Sequence, residues 1–172
     1  MLSERSHRPR RVAILGIGNE SRGDDAAGIL VARALQPIAH DRLLVVEAGL
    51  APENQTGRLR QFEPELVLLV DAAKLGAAAG TVRWLSWEET GGITASTHTT
   101  PPSMLGRFLV ESLGCDVVLI GIQPADTAFE AALSPGVAAS VDAVTQSLTA
   151  LFGARTVAHE QINGEILYDG SN

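Results

Sequence analysis

Asp24 and Asp25 follow Gly23 directly, Asp71 follows the apolar run 66–70, and His98 stands between a glycine-rich stretch and the pair Pro101-Pro102. Two carboxylates and one imidazole make an open, mixed oxygen–nitrogen site, suited to borderline divalent ions such as nickel, zinc or manganese. A helix starting just behind His98 disfavours the charged imidazole, so the ring stays neutral and able to bind metal. Paired aspartates also permit acid-protease chemistry. The Asp-Thr/Ser-Gly signature of pepsin-like enzymes is absent, however, and so is a Gly-x-Ser-x-Gly elbow.

Each of these residues has a plainer reading beside the chemical one. An aspartate closing an apolar strand is either the cap of a neighbouring turn or a site residue, and its position alone does not choose. Glu47 closes the run 43–46 and would make a third rim carboxylate, although a solvated strand-end glutamate is the simpler reading. His7, His40 and His159 have no comparable setting and are left out. Cys115, the only cysteine, excludes an intramolecular disulfide, and beside the apolar run 117–120 it reads as a packed or surface thiol.

A glycine motif directly follows the chain's first apolar run. Gly16-Ile17-Gly18-Asn19 begins like a dinucleotide fingerprint, but Ser21 holds the place of the third glycine, and Arg22-Gly23-Asp24-Asp25 follows. Two carboxylates where a pyrophosphate should sit would repel it, which argues against a nucleotide-binding module. The glycines serve instead to turn the chain tightly at a strand's end, with Asn19 tolerating unusual backbone angles.

The elements that must position these residues follow from hydrophobic patterning. Runs 12–15, 43–46, 66–70 and 117–120 are continuously apolar, as strands buried on both faces are, while 81–87 alternates like an edge strand. Helical patterns lie between them. The first, 24–35, has Asp24 as N-cap; the second, 101–113, has Thr100 as N-cap and carries Met104, Leu105, Phe108, Leu109 and Leu113 on one face; the third is 136–152. Alternating strands and helices indicate an α/β layered fold. Residues 76–80 form a small-residue loop, and 91–97 a glycine-rich, mobile segment. In an open α/β sheet ligands bind outside the carboxyl ends of the strands, so Asp25 and Asp71 can converge there.

The 172 residues suit one domain, 12–157, preceded by a basic arm, 1–11, and followed by a tail, 158–172, that is expected to be mobile. With 13 basic against 20 acidic side chains the net charge is −7, which argues against a broad nucleic-acid footprint. No apolar run spans a membrane, and the arm leads into a strand with no cleavage site, so a cytoplasmic monomer is expected.

Taken together, these motifs resemble the hydrogenase maturation endopeptidases. Residues 16–19 and Gly23-Asp24-Asp25-Ala26-Ala27-Gly28 are similar to that family's N-terminal signature, Val70-Asp71-Ala72 to its central strand end, and 96–103 to its S-T-H-x-x-P segment. Ala51-Pro52-Glu53-Asn54 and Ile120-Gly121-Ile122-Gln123-Pro124 further resemble the branch serving formate-hydrogenlyase-type hydrogenases, and the likeness runs from Val12 to Leu151. The resemblance implies a three-layer α/β/α sandwich around a twisted, mostly parallel sheet of about five strands. It also implies a nickel site formed by Asp25, Asp71 and His98, which are at once the expected metal ligands and catalytic residues. The implied substrate is the nickel–iron hydrogenase large-subunit precursor, whose C-terminal extension is removed once nickel is in place. On that reading the nickel arrives on the substrate and no organic cofactor is used. Either an aspartate activates water, or the metal polarises the scissile carbonyl. A chaperone that grips the nickel-loaded precursor without cutting it would need the same ligands.

Overall fold

The computed structural model describes residues 10–95 and 100–153. Its strands are β1 (Val12–Ile17), β2 (Leu43–Gly49), β3 (Leu66–Lys74), β4 (Val82–Ser86), β5 (Thr94–Ala95) and β6 (Asp116–Ile122). Its α-helices are α1 (Ala27–Leu35), α2 (Thr56–Phe62), α3 (Pro102–Leu113) and α4 (Pro135–Phe152). The main sheet has the order β2-β1-β3-β6-β4, parallel except for β4, which runs antiparallel along β6 at the edge.

The apolar runs become the central strands because both of their faces are covered. On one face Val12, Ile14, Leu68, Val70, Ile120 and Ile122 pack against α1 and α4. On the other, Ala13, Leu15, Leu69, Val117 and Leu119 pack against Leu59 of α2 and Leu105 and Leu109 of α3. Alternation along a strand sends successive side chains to opposite layers, and the result is the expected α/β/α sandwich. β1 leads through α1 to β2 on one side, and the chain then crosses back through α2 to β3 on the other. The strand order therefore reverses between β1 and β3.

Several local expectations are corrected. Asp71 does not close its strand: β3 continues to Lys74, and Asp71 pairs with Gly121 of β6. Asp24 caps no helix of its own, because a 3-10 turn, Gly23–Ala26, precedes α1 and has Arg22 at its N-cap position. Thr100 is not the N-cap of α3; Pro101 holds that place without a side-chain bond. In α3 the buried face is Pro102, Leu105, Gly106 and Leu109, whereas Met104 and Phe108 are exposed. Asn19 is not in the positive-φ region; its side-chain oxygen accepts from the Ser21 amide at 3.0 Å and closes the turn. Within the glycine-rich segment, Thr94 and Ala95 pair antiparallel with Lys74 and Ala73. Residues 96–99, with His98, lie outside the described residues, as do 1–9 of the arm and the whole tail 158–172.

Candidate active site

The reversal between β1 and β3 is the place where an open α/β sheet offers a crevice at the strands' carboxyl ends. β1 delivers the turn that carries Asp24 and Asp25 to this crevice, and β3 passes through it at Asp71. All three carboxylates are withdrawn from water, Asp24 and Asp25 fully and Asp71 with 2% exposed. A buried carboxylate is costly unless hydrogen bonds, an opposite charge or a metal compensate it, so each of the three calls for an account of what compensates it.

Close backbone packing sets the position of Asp25. A Cβ on Gly28 would lie 2.1 Å from the Val70 carbonyl oxygen and 2.3 Å from that of Ile17, so only glycine lets α1 begin against β1 and β3. Gly18, at φ +140°, leaves room for the Asp25 carbonyl, where a Cβ would come within 1.8 Å. That carbonyl accepts the Asn19 amide at 3.1 Å and fixes the turn.

Asp24 has a different task. Its carboxylate accepts hydrogen bonds from the amides of Ala125 (2.7 Å), Asp126 (2.9 Å) and Ser134 (2.7 Å), and from the Ser134 hydroxyl (2.8 Å). It thereby straps the loop after β6, and the residue just ahead of α4, to the turn after β1. Burial by itself would raise its pKa. The donors from Asp126, Ser134 and Ala125 outweigh that, and the carboxyl titrates below its ordinary 3.8.

Asp71 shares a face of β3 with Leu69, toward α3. It forms one wall of a narrow, mainly apolar pocket with Ile17, Leu50, Pro52, Glu53, Leu69, Thr100, Pro102, Leu105 and Leu119. Glu53 and Thr100 are the polar residues here that reasoning from site chemistry passed over. The signal was available, since Glu53 lies in the quoted segment 51–54 and Thr100 is two residues after His98. Glu47 is not part of the pocket; with Glu20 it holds Arg33, at 2.6 Å each, and ties the turn after β1 to the end of β2. The bond from Arg33 lowers the Glu20 pKa. Cys115 is buried, and burial pushes its thiol pKa up, so it is no nucleophile. Among the described residues no group of three or more His, Cys, Asp or Glu is placed to hold a metal ion. Asp25 and Asp71 therefore need a further donor for that task.

The sequence and the fold match known proteins. A family model described as hydrogenase maturation protease matches residues 29–151, which include Asp71 and His98 and begin just after Asp25. The chain belongs to the hydrogenase maturation protease family. A putative hydrogenase maturation protease of Methanocaldococcus jannaschii is 31% identical over 132 residues, 72% of this chain and 78% of the relative. The hydrogenase 3 maturation protease of Escherichia coli is 31% identical over 136 residues, 78% and 86% of the two chains. In structure, the [NiFe] hydrogenase maturation protease HycI of Thermococcus kodakarensis superposes with a TM-score of 0.76 at 33% identity, covering 83% of this chain and 92% of that one. Among the described residues no helix is long and apolar enough to cross a membrane.

Proposed function

We propose that this chain is a cytoplasmic endopeptidase that removes the C-terminal extension of a nickel–iron hydrogenase large-subunit precursor after nickel insertion, reading the substrate's nickel as a tag. The observation that carries the reading is the burial of Asp25 and Asp71 at the reversal point of the sheet. Asp25, Asp71 and His98 are its proposed nickel contacts and catalytic residues. His98 lies outside the described residues, but the chain on either side of it is anchored near Asp71. Ala95 pairs with Ala73, and Thr100 lines the same pocket as Asp71. An oxygen, oxygen and nitrogen set suits nickel, and three protein donors leave positions for ligands that the substrate brings.

Two routes to hydrolysis fit this donor set. Either aspartate can take the proton from an attacking water, and nickel on the substrate can polarise the scissile carbonyl. A single chain supplies both carboxylates, so the reading needs only a monomer. The decisive experiment incubates the protein with nickel-loaded and with metal-free precursor and follows the subunit by mass. The nickel-loaded form should be shortened and the metal-free form left intact. Efficient cutting of the metal-free form overturns the tag, and a precursor bound but never shortened makes the chain a chaperone.

A further inference from the structure

We infer that a groove at the amino ends of the strands is the docking site for this chain's own C-terminal segment, with Ile166, Leu167 and Tyr168 on its floor and Glu165 and Asp169 toward its basic rim. The groove lies at the edge opposite the crevice, so its occupancy does not depend on the proteolytic reading. Its floor is a row of three apolar residues in register across neighbouring strands: Leu43, Val12 and Leu66. Adjacent strands lie about 4.8 Å apart, so the row is about 10 Å wide. Leu151 and Phe152, at the end of α4, line it from above, and Leu151 is left 64% exposed. The open volume is about 340 Å³, within the range of pockets that hold a ligand.

The charge of the rim selects the occupant. Arg10, Arg42 and His40 line the groove, and among the described residues no carboxylate does. Arg10 meets Asp116 and His40 meets Asp41, but both carboxylates face water, and such exposed pairs exchange partners at little cost. The N-terminal arm, with Arg5 and Arg8 against Glu4, would bring like charge, and a second copy seated by the same face would set arginine against arginine. The chain beyond α4 brings the opposite sign. Glu160, Glu165 and Asp169 outnumber Arg155, and Glu165 and Asp169 bracket the apolar trio 166–168. Residues 154–172 lie outside the described residues, but their point of departure is at the groove itself. Gly153 follows the two lining residues of α4, and a Cβ on it would lie 3.7 Å from Ile38. Extended, the trio covers about 10 Å, the width of the floor. The stretch 154–165 reaches about 20 Å as a flexible linker, which holds the trio at an effective concentration on the order of 1 mM or above. A contact too weak to retain the same peptide from solution is therefore enough.

Tyr168 is the chain's only tyrosine, so fluorotyrosine gives the full-length protein a single fluorine resonance, placed in the docking trio. That resonance should be shifted and broadened relative to the synthetic peptide 154–172, to the same extent at every protein concentration. Leu151→Asp and Arg42→Glu should each return it to the peptide's position. Glu165→Lys combined with Asp169→Lys, which leaves the domain as it is, should do the same, and raising the salt to about 0.5 M should weaken the shift. Met104→Ser, at an exposed apolar site on the opposite layer, should leave the resonance where it was. If either groove variant lowers the melting temperature, the paired tail change decides alone. A wild-type resonance at the peptide's position overturns the inference. Indifference to the groove variants or to the paired tail change overturns it too, because the trio then lies elsewhere. A shift that grows with protein concentration overturns it in favour of docking onto a second copy.

Discussion

At the amino ends of the strands, Arg10 faces Asp116 at 3.5 Å and Arg11 faces Glu63 at 3.3 Å, all on the surface. At the carboxyl ends, Asp24, Asp25 and Asp71 lie inside the protein, and the bonds to Asp24 come chiefly from backbone amides. The same residue types thus carry different weight at the two edges. Exposed pairs keep their water and gain little from meeting. A buried carboxylate has given up its water and depends on every donor aimed at it. The difference separates an edge that closes the fold from the edge at which the chemistry is proposed, and substitutions at each should separate likewise.

The largest effect should come from Gly28→Val. The added side chain would enter the carbonyls of Val70 and Ile17, and overpacking against backbone cannot relax by rotation. A loss of about 3 kcal/mol or more is expected, read as a collapse of the urea midpoint. A near-normal midpoint would mean that the carboxyl edge is far softer than its packing indicates.

Asp24→Ala comes next, because it leaves buried amides of Ala125, Asp126 and Ser134 without their acceptor. The cost should be about 3 kcal/mol. The sign of its pH dependence follows from the lowered pKa. The unfolded chain takes up the proton first, so the contribution is complete above the ordinary value of 3.8. It is lost as pH falls through that value toward the folded one. Urea midpoints measured from about pH 6 down to about pH 3 should fall in wild type and flatten in Asp24→Asn. Equal slopes in both proteins would remove Asp24 from this role.

Asp25→Asn and Asp71→Asn should sharpen the comparison within the carboxyl edge itself. Both replacements keep the side chain's shape, so melting temperatures should stay close to wild type while processing of nickel-loaded precursor falls about 10²-fold or more. If Asp24→Asn costs more activity than Asp25→Asn in samples that are equally folded, the doublet has been assigned in the wrong order. The smallest effect belongs to the amino edge. Arg10→Ala should change stability by less than about 0.5 kcal/mol and leave processing as it is. A larger loss would show that exposed pairs at this edge contribute more than their exposure allows.

The sequence made some of this visible and hid the rest for physical reasons. The strands at 12–15, 43–46, 66–70 and 117–120 were readable because a strand covered on both faces is apolar throughout. β4 was readable as an edge because it alternates. α2 was missed: in its seven residues Leu59 alone is buried, which leaves no period to detect. β3 was cut short because a charged residue ends an apolar run, although the backbone ladder with β6 continues past it.

By itself, then, the sequence determined the layered α/β class, the acidic doublet behind a glycine turn, the aspartate on the central strand and the family to which these belong. Those features are local, set by the composition and order of neighbouring residues. The tertiary structure alone decided that Asp24 serves the loop after β6, about a hundred residues away, and so leaves Asp25 as the doublet's candidate for the crevice. It also decided that Gly28 admits α1 against two strands, and that Ile17, Leu50, Leu69, Leu105 and Leu119 meet beside Asp71. Each of these is a contact between segments distant in the chain, and hydrophobic period carries no record of which distant backbone will come within reach.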